Sequence, residues 1–379
     1  MMIEYILWGV FLLLLIHYSI FLLSILRGLN NLKQSQDELS LNEFVSIIIP
    51  FRNESENIIN NVQSLKKQNY PIERYEVIYV DDNSTDDSFP KLNGFKKPDN
   101  IRVLSLPKEY SPNAHKKRAI RYGIEQSKGE IIVTTDADCT YTENWLNSLV
   151  NNFDEETGFI SGPVEFKDNS IVFSKLQKLE FAGLIITGAG LIGRGKPIIC
   201  NAANIAYRKK VYDEVQGFEY DMDLSSGDDE LLMQKIAQDT EYKVMFSLDR
   251  KSIVKTAPNN SISEFYHQRK RWASKGFFYK NKNLVIKLIL IYLFYVGLIV
   301  QPLLIIFHPI SFAVILILSI LFKLFLEYLI LKKGKSLLFT SLSLNWFVPS
   351  ELLQVPYIVF AGFAGAFGNF HWKERKIKR

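Results

Sequence analysis

The residues that could do chemistry follow apolar runs. Ile131-Ile132-Val133-Thr134-Thr135 leads into Asp136-Ala137-Asp138. Side chains alternate along an extended chain, so Asp136 and Asp138 would point the same way. Paired carboxylates suit a hard divalent cation, Mg²⁺ or Mn²⁺, which completes its shell with water and substrate phosphates. In open α/β sheets ligands sit beyond the carboxyl ends of strands, so the pair reads as a metal–diphosphate site. A solvated strand-end turn would look the same, because Asp-x-Asp is a short motif. A second one, Asp221-Met222-Asp223, has no role assigned. A calcium loop is excluded, because its glycine position holds Tyr141 and its closing glutamate position holds Asn147.

Three further groups share this character. Residues 75–82 (YEVIYVDD) end in Asp81-Asp82, and Asn83-Ser84-Thr85-Asp86 follows as a polar turn suited to a base and ribose. Gly227-Asp228-Asp229-Glu230 opens a helical pattern over 225–239, where acids match the helix dipole, so capping competes with a functional role. His267-Gln268-Arg269-Lys270-Arg271-Trp272 is basic and aromatic and precedes an apolar segment. Such a helix can lie on anionic lipid, or it can set Arg271 on a diphosphate and Trp272 against a sugar face. There is no P-loop, and the one G-x-G-x-x-G, at 188–193, ends an apolar helical run and does not follow a strand, so dinucleotide and NTP-hydrolase readings lack their phosphate cradle.

The elements that must position these groups read as alternating strands and helices. Strands are expected at 44–51 (FVSIIIPF), 75–82, 101–106, 130–138, 158–166 and 198–207. Helices are expected at 55–68, with Ser55 as a cap, and at 112–127 and 171–192. The helix at 171–192 is apolar and carries Gly183, Gly188 and Gly190, as if lying against a membrane or lining an acceptor cleft. The alternation implies a mostly parallel sheet with flanking helices, an α/β fold.

Composition adds a membrane. The chain has 379 residues, a net charge of +5 and 22% charged residues, which argues against a nucleic-acid partner. Two cysteines, Cys139 and Cys200, cannot form a disulfide framework. Residues 5–26 run 22 positions without Lys, Arg, Asp or Glu, long enough to span a bilayer. Arg27 and Lys33 follow this segment and only Glu4 precedes it, so the middle of the chain is expected in the cytoplasm. Two more spans lie within 284–333, with a turn at His308-Pro309 and with Lys323 and Glu327 four apart, placed to pair with each other, line a cavity or snorkel. The apolar stretch 336–371 is broken by Pro349, Glu351 and Pro356 and is expected to be re-entrant or transmembrane, with a basic tail at 372–379.

The order of the motifs carries a resemblance. IPFRNE (49–54), VDDNSTD (80–86), TDAD (135–138), GDDE (227–230) and QRKRW (268–272) occur in sequence. The chain resembles a family 2 glycosyltransferase of the membrane-bound GT-A branch, which includes cellulose, chitin and hyaluronan synthases and ceramide glucosyltransferase. The resemblance implies a cytoplasmic GT-A domain over 44–260 and an amphipathic interfacial helix over 261–283, anchored by a transmembrane segment at 1–30. It implies that Pro50, Glu54, Asp82, Lys116 and Asp136 bind the nucleotide-sugar, with Asp82 on uracil. Asp138 and Asp136 would hold Mg²⁺ or Mn²⁺. Asp229 would be the base, although Asp228 stands where the family has Glu and blurs that choice, and Arg121 replaces a usual Asn. Gln268, Arg271, Trp272, Asn201 and Asn204 would meet the diphosphate and acceptor.

The expected activity is inverting transfer from a UDP-sugar to a lipid-linked or glycan acceptor at the cell membrane. A processive β-polysaccharide synthase is the rival within the family, though few membrane segments speak for single transfers. Outside it stand a membrane scaffold, which acids aimed away from a common cleft would favour, and a lipid-binding or transport protein.

Overall fold

The computed structural model describes residues 2–33, 43–107, 109–110, 116–219, 227–367, 370–372 and 375–377. Residues 34–42, Asp221 and Asp223, and Lys373, Glu374, Lys378 and Arg379 of the tail lie outside the described residues.

Helix α1 (Met2–Asn31) leads into strands β1 (Val45–Phe51), β2 (Tyr75–Asp81), β3 (Ile101–Ser105) and β4 (Ile131–Thr134). These pair in parallel in the order β3-β2-β1-β4. Helices α2 (Ile58–Leu65), α3 (Ser88–Gly94), α4 (Lys116–Glu125) and α5 (Trp145–Val150) lie between or after them. The sheet continues through β5 (Thr157–Ser161), β7 (Ile205–Arg208) and β8 (Lys243–Phe246), with β7 antiparallel to both β4 and β5. Strands β6 (Val164–Phe166) and β9 (Val254–Thr256) form a separate parallel pair. Every residue of β1, β2, β4, β5 and β7 is buried, as expected for a sheet covered on both faces.

Some expected boundaries move. The strand expected at 158–166 divides at Gly162-Pro163 between two sheets, because proline cannot donate to a ladder. The strand expected at 198–207 is strand only from Ile205. Helix α2 starts at Ile58 with Asn57 at its cap position; Ser55 instead donates its backbone N–H to Asp86 Oδ2 at 3.1 Å. Strand β4 stops at Thr134, so Asp136 and Asp138 sit in the turn beyond it.

The remaining helices are α6 (Val172–Gly193), α7 (Lys209–Glu214), α8 (Glu230–Asp239), α9 (Ile262–Ala273), α10 (Lys282–Leu304), α11 (Pro309–Leu337) and α12 (Phe347–Phe367), before a short hairpin of β10 (Phe370–Trp372) and β11 (Arg375–Ile377). Among the described residues, α1, α6, α10, α11 and most of α12 are long and apolar enough to cross a membrane. Of these α6 is the most buried, and it packs against α1, α11 and α12. A Cβ on Gly28 of α1 would overlap the Gly190 carbonyl of α6, so the two backbones touch, as small residues allow between apolar helices. Gly28→Leu should therefore separate α1 from α6 at a cost of about 2 kcal/mol or more. Thermal unfolding of the detergent-purified variant should show a lower midpoint than the parent.

Candidate active site

A cleft of about 830 Å³ opens at the carboxyl ends of β1, β2 and β4. Its walls include Pro50, Glu54, Asp82, Lys116, Asp136, Asp138, Asn201, Asp228, Asp229, Gln268, Arg271 and Trp272. Asn204 is the exception among the residues singled out from the sequence. It is fully buried outside the lining, where Trp145 Nε1 donates to its Oδ1 at 3.0 Å and its Nδ2 donates to the Pro163 and Ser252 carbonyls, each at 2.8 Å.

The loops after β1 and β2 shape one end. Arg118 donates from Nε (3.0 Å) and Nη2 (2.6 Å) to Asp82 Oδ1, and Arg52 Nη1 donates to the Asp82 carbonyl at 2.9 Å. The acceptors of the 83–86 turn, expected to face a base and ribose, are used between loops. Ser84 Oγ accepts from Asn53 N–H at 3.1 Å, and Asp86 accepts from the backbone of Ser55 and Ser88. Asn53 and Asn83 adopt positive φ (52° and 56°), which asparagine tolerates better than most residues. Glu54 Oε2 accepts from Asn57 Nδ2 at 2.9 Å.

At the centre, Asn61 of α2 holds the Asp136–Asp138 turn by donating to the Asp136 carbonyl (3.1 Å) and the Cys139 carbonyl (2.9 Å). Lys116, the first residue of α4, lies 2.7 Å from Asp136 Oδ1 and 3.2 Å from Asp228 Oδ2. The second contact is an ion contact without hydrogen-bond geometry. Burial opposes the charge on Lys116, but Asp136 and Asp228 outweigh it and raise its ammonium above the usual lysine range. Burial likewise opposes the charge on Asp228, yet Lys116 and Lys117 hold its carboxyl below the usual range. Asp138 Oδ2 accepts from Thr256 Oγ1 at 3.1 Å.

Asp229 caps α8 as the sequence allowed, accepting from Glu230 N–H through Oδ1 at 2.7 Å. Its Oδ2 accepts from Ala202 N–H at 3.0 Å, which places the Asn201 turn beside it. Capping and cleft position therefore coincide in one residue. On the far wall, Gln268 Oε1 accepts from Asn259 Nδ2 at 3.0 Å. The Trp272 ring lies 4.3 Å from the Arg269 guanidinium. Burial lowers the Arg271 guanidinium from its usual range, against the pull of Asp228, Asp229 and Asp136.

Several lining residues were not singled out from the sequence. Lys275 pairs with Glu230 Oε2 at 3.1 Å, and Tyr279 donates to the same atom at 3.0 Å. Lys275 follows Arg271 at helical spacing, which was the available signal. Phe181, Leu184 and Ile185 of α6 join Gly188 in an apolar wall, as the cleft-lining reading of that helix allows, and their spacing was likewise legible.

Residues 46–216 match the family described as Glycosyl transferase family 2. The chain carries a family 2 glycosyltransferase domain. The family read from the motifs is thereby borne out. The chain is 30% identical over 217 residues to the glycosyltransferase AglE of Haloferax volcanii, covering 54% of this chain and 65% of that protein. It is 24% identical over 241 residues to a poly-beta-1,6-N-acetyl-D-glucosamine synthase of Staphylococcus epidermidis, covering 62% of this chain and 55% of the synthase. The chain thus spans less than two thirds of the length of both relatives. A mannosyltransferase of Pyrobaculum calidifontis, solved with GDP-Man and Mn²⁺, superposes with a TM-score of 0.60 at 18% identity, covering 95% of this chain and 99% of that one. That likeness establishes the GT-A fold of the glycosyltransferase domain.

Replacing Asn204 by Leu leaves three buried groups without its amide and should cost the domain about 2–4 kcal/mol. Calorimetry should show this loss while nucleotide affinity of the folded fraction stays unchanged, separating Asn204 from the cleft residues.

Proposed function

We propose that this protein is a membrane-bound inverting glycosyltransferase that moves a sugar from a UDP-sugar to a lipid-linked acceptor. One observation carries the reading: acids and bases from all five motifs, hundreds of residues apart in the chain, line a single cleft. A scaffold would not need them in one place.

In this reading the nucleotide lies across Pro50, Glu54 and Asp82, with Lys116 and Arg271 toward its diphosphate. Asp138 and Asp136 fit a divalent cation by donor type. Among the described residues no group of three or more His, Cys, Asp or Glu could hold a metal, so phosphate oxygens would have to share the shell. Mg²⁺ or Mn²⁺ bound there supplies charge stabilisation for the departing diphosphate. Asp229, oriented by the Ala202 and Glu230 N–H groups, keeps further lone pairs and takes the proton of the acceptor hydroxyl. The acceptor oxygen bonds to the anomeric carbon as the bond to phosphate breaks, and UDP leaves with the electron pair. Arg271 stabilises the charge it carries away. One displacement inverts the anomer.

The acceptor side supports a lipid. Phe181, Leu184, Ile185 and Ile199 offer no hydrogen bonds to sugar hydroxyls, and α6 belongs to the apolar helix bundle. A growing polysaccharide would call for a polar wall there. Arg27, Lys33, Lys332, Lys333 and Lys335 support a cytoplasmic catalytic domain in a multi-pass membrane protein.

The test is nucleoside diphosphate release by detergent-purified protein, with a panel of UDP- and GDP-sugars and lipid extracts. Release should require Mn²⁺ or Mg²⁺, stop with EDTA, and fall by about 10²–10⁴-fold in Asp229→Asn. Undiminished release by that variant would remove Asp229 from the chemistry. Preference for a GDP-sugar would overturn the donor assignment.

A further inference from the structure

The last apolar stretch shows where it enters and leaves. Ends of α10 and α11 mark the level of the catalytic domain: α10 starts at Lys282, just after the Asn281 cap, and near the end of α11 the Ser336 carbonyl accepts from Arg250 Nη2 of the domain at 2.7 Å. Beyond α11 the chain is still at that level, since Ser341 Oγ donates to Glu165 Oε1 of the domain at 3.4 Å. Then it descends. Phe347 packs on Tyr328, ring centroids 5.5 Å apart. Glu351 pairs with Lys323, and Gln354 Oε1 accepts from Lys323 Nζ at 3.0 Å and from Tyr295 at 3.3 Å. At ~1.5 Å per residue, Lys323 and Tyr295 lie about 20 Å from those helix ends, short of a ~30 Å hydrocarbon core.

The descent ends before α12, which runs back toward the catalytic domain. Tyr292 donates to the Val359 carbonyl at 3.0 Å, one turn nearer the catalytic domain than Tyr295. A Cβ on Gly365 would lie 3.0 Å from the Lys270 carbonyl and from Ala273, in and at the end of α9. Strand β10 also lies beside α9. A crossing helix would instead end near the turn at His308-Pro309. Val348, Leu352, Phe360 and Phe363 form an exposed apolar stripe along α12, at 50%, 57%, 63% and 63% exposure, which suits contact with lipid.

The geometry points to a re-entrant segment: residues 338–367 enter and leave the bilayer on the side of the catalytic domain. The proposal rests on the membrane reading above but is independent of the reaction. Close to its deepest part is a buried polar knot, where Lys323 takes Glu327 (2.8 Å), Glu351 and Gln354 together. Charges at that depth need partners, and here α11 and α12 supply them. Its outgoing limb also braces the cleft: Tyr357 donates at 2.7 Å to Glu180 Oε1 of α6, and Glu180 holds Arg269 of α9. The segment would thus fix the acceptor wall at the bilayer surface, on the side where the donor binds.

Cysteines placed one at a time at Lys91, Phe307 or Lys376 in a Cys200→Ala background, in which the buried Cys139 remains and the background protein serves as the unlabelled control, test this with a membrane-impermeant maleimide on intact and lysed cells. Lys91 marks the catalytic domain and Phe307 the far turn. The expected result is that the Lys376→Cys protein behaves like Lys91→Cys, losing its labelling in intact cells, while Phe307→Cys is labelled in both. Lys376→Cys following Phe307→Cys would mean a full crossing and overturn the proposal, as would Lys91→Cys and Phe307→Cys behaving alike. Failure of the membrane reading itself would show earlier, as release of the protein by alkaline carbonate.

Discussion

The cleft depends on neutralising acids that the fold crowds together. Asp136 comes from the turn after β4, and Asp228 from the segment before α8; Lys116 from the start of α4 touches both. The buried Asp228 carboxylate would cost several kcal/mol if unpaired, and the partly exposed Asp136 less, because water screens it. Lys275 does the same for Glu230 and stands 3.8 Å from Asp229. These cations tie the parallel part of the sheet to the helices beyond it. The site is therefore preorganised by the charges that a diphosphate and its cation would later rearrange.

The second constraint is the join between this domain and the apolar bundle. Helix α6 serves both, with one face on the cleft and the Gly28–Gly190 contact to α1 on the other. Helix α9 is held from beneath by the Glu180–Arg269 pair, in which Arg269 is 5% exposed and also lies 4.4 Å from the Phe265 ring. Arg269 is thus committed to structure, while Arg271, two positions along, faces the cleft. Two arginines in one motif have divided the work because successive helical positions point about 100° apart.

Much of this was legible in the chain. Apolar runs ending in acids gave the parallel strands and the cleft edge, since side-chain alternation and strand-end placement follow from local geometry. Charge-free stretches marked the apolar helices, and the order of the motifs marked the family. What sequence could not assign were contacts between distant segments. Asn204 lies in a segment expected near the acceptor, yet its amide is spent on Trp145, Pro163 and Ser252. The 83–86 turn looked like a ligand surface and is occupied by the loop after β1. Asp229 looked like either a cap or a cleft acid and is both.

Sequence by itself determined the elements, their apolar faces and the inventory of charged groups, because these depend on spacing along the chain. Tertiary structure alone decided which cation meets which acid, that α6 is a cleft wall as well as an apolar helix, and that the last apolar helix brings Glu351 and Gln354 to Lys323. Those outcomes are set by which buried polar groups find partners across hundreds of residues. Burial makes each such choice worth more than any local propensity, and the choice is open until the chain has folded.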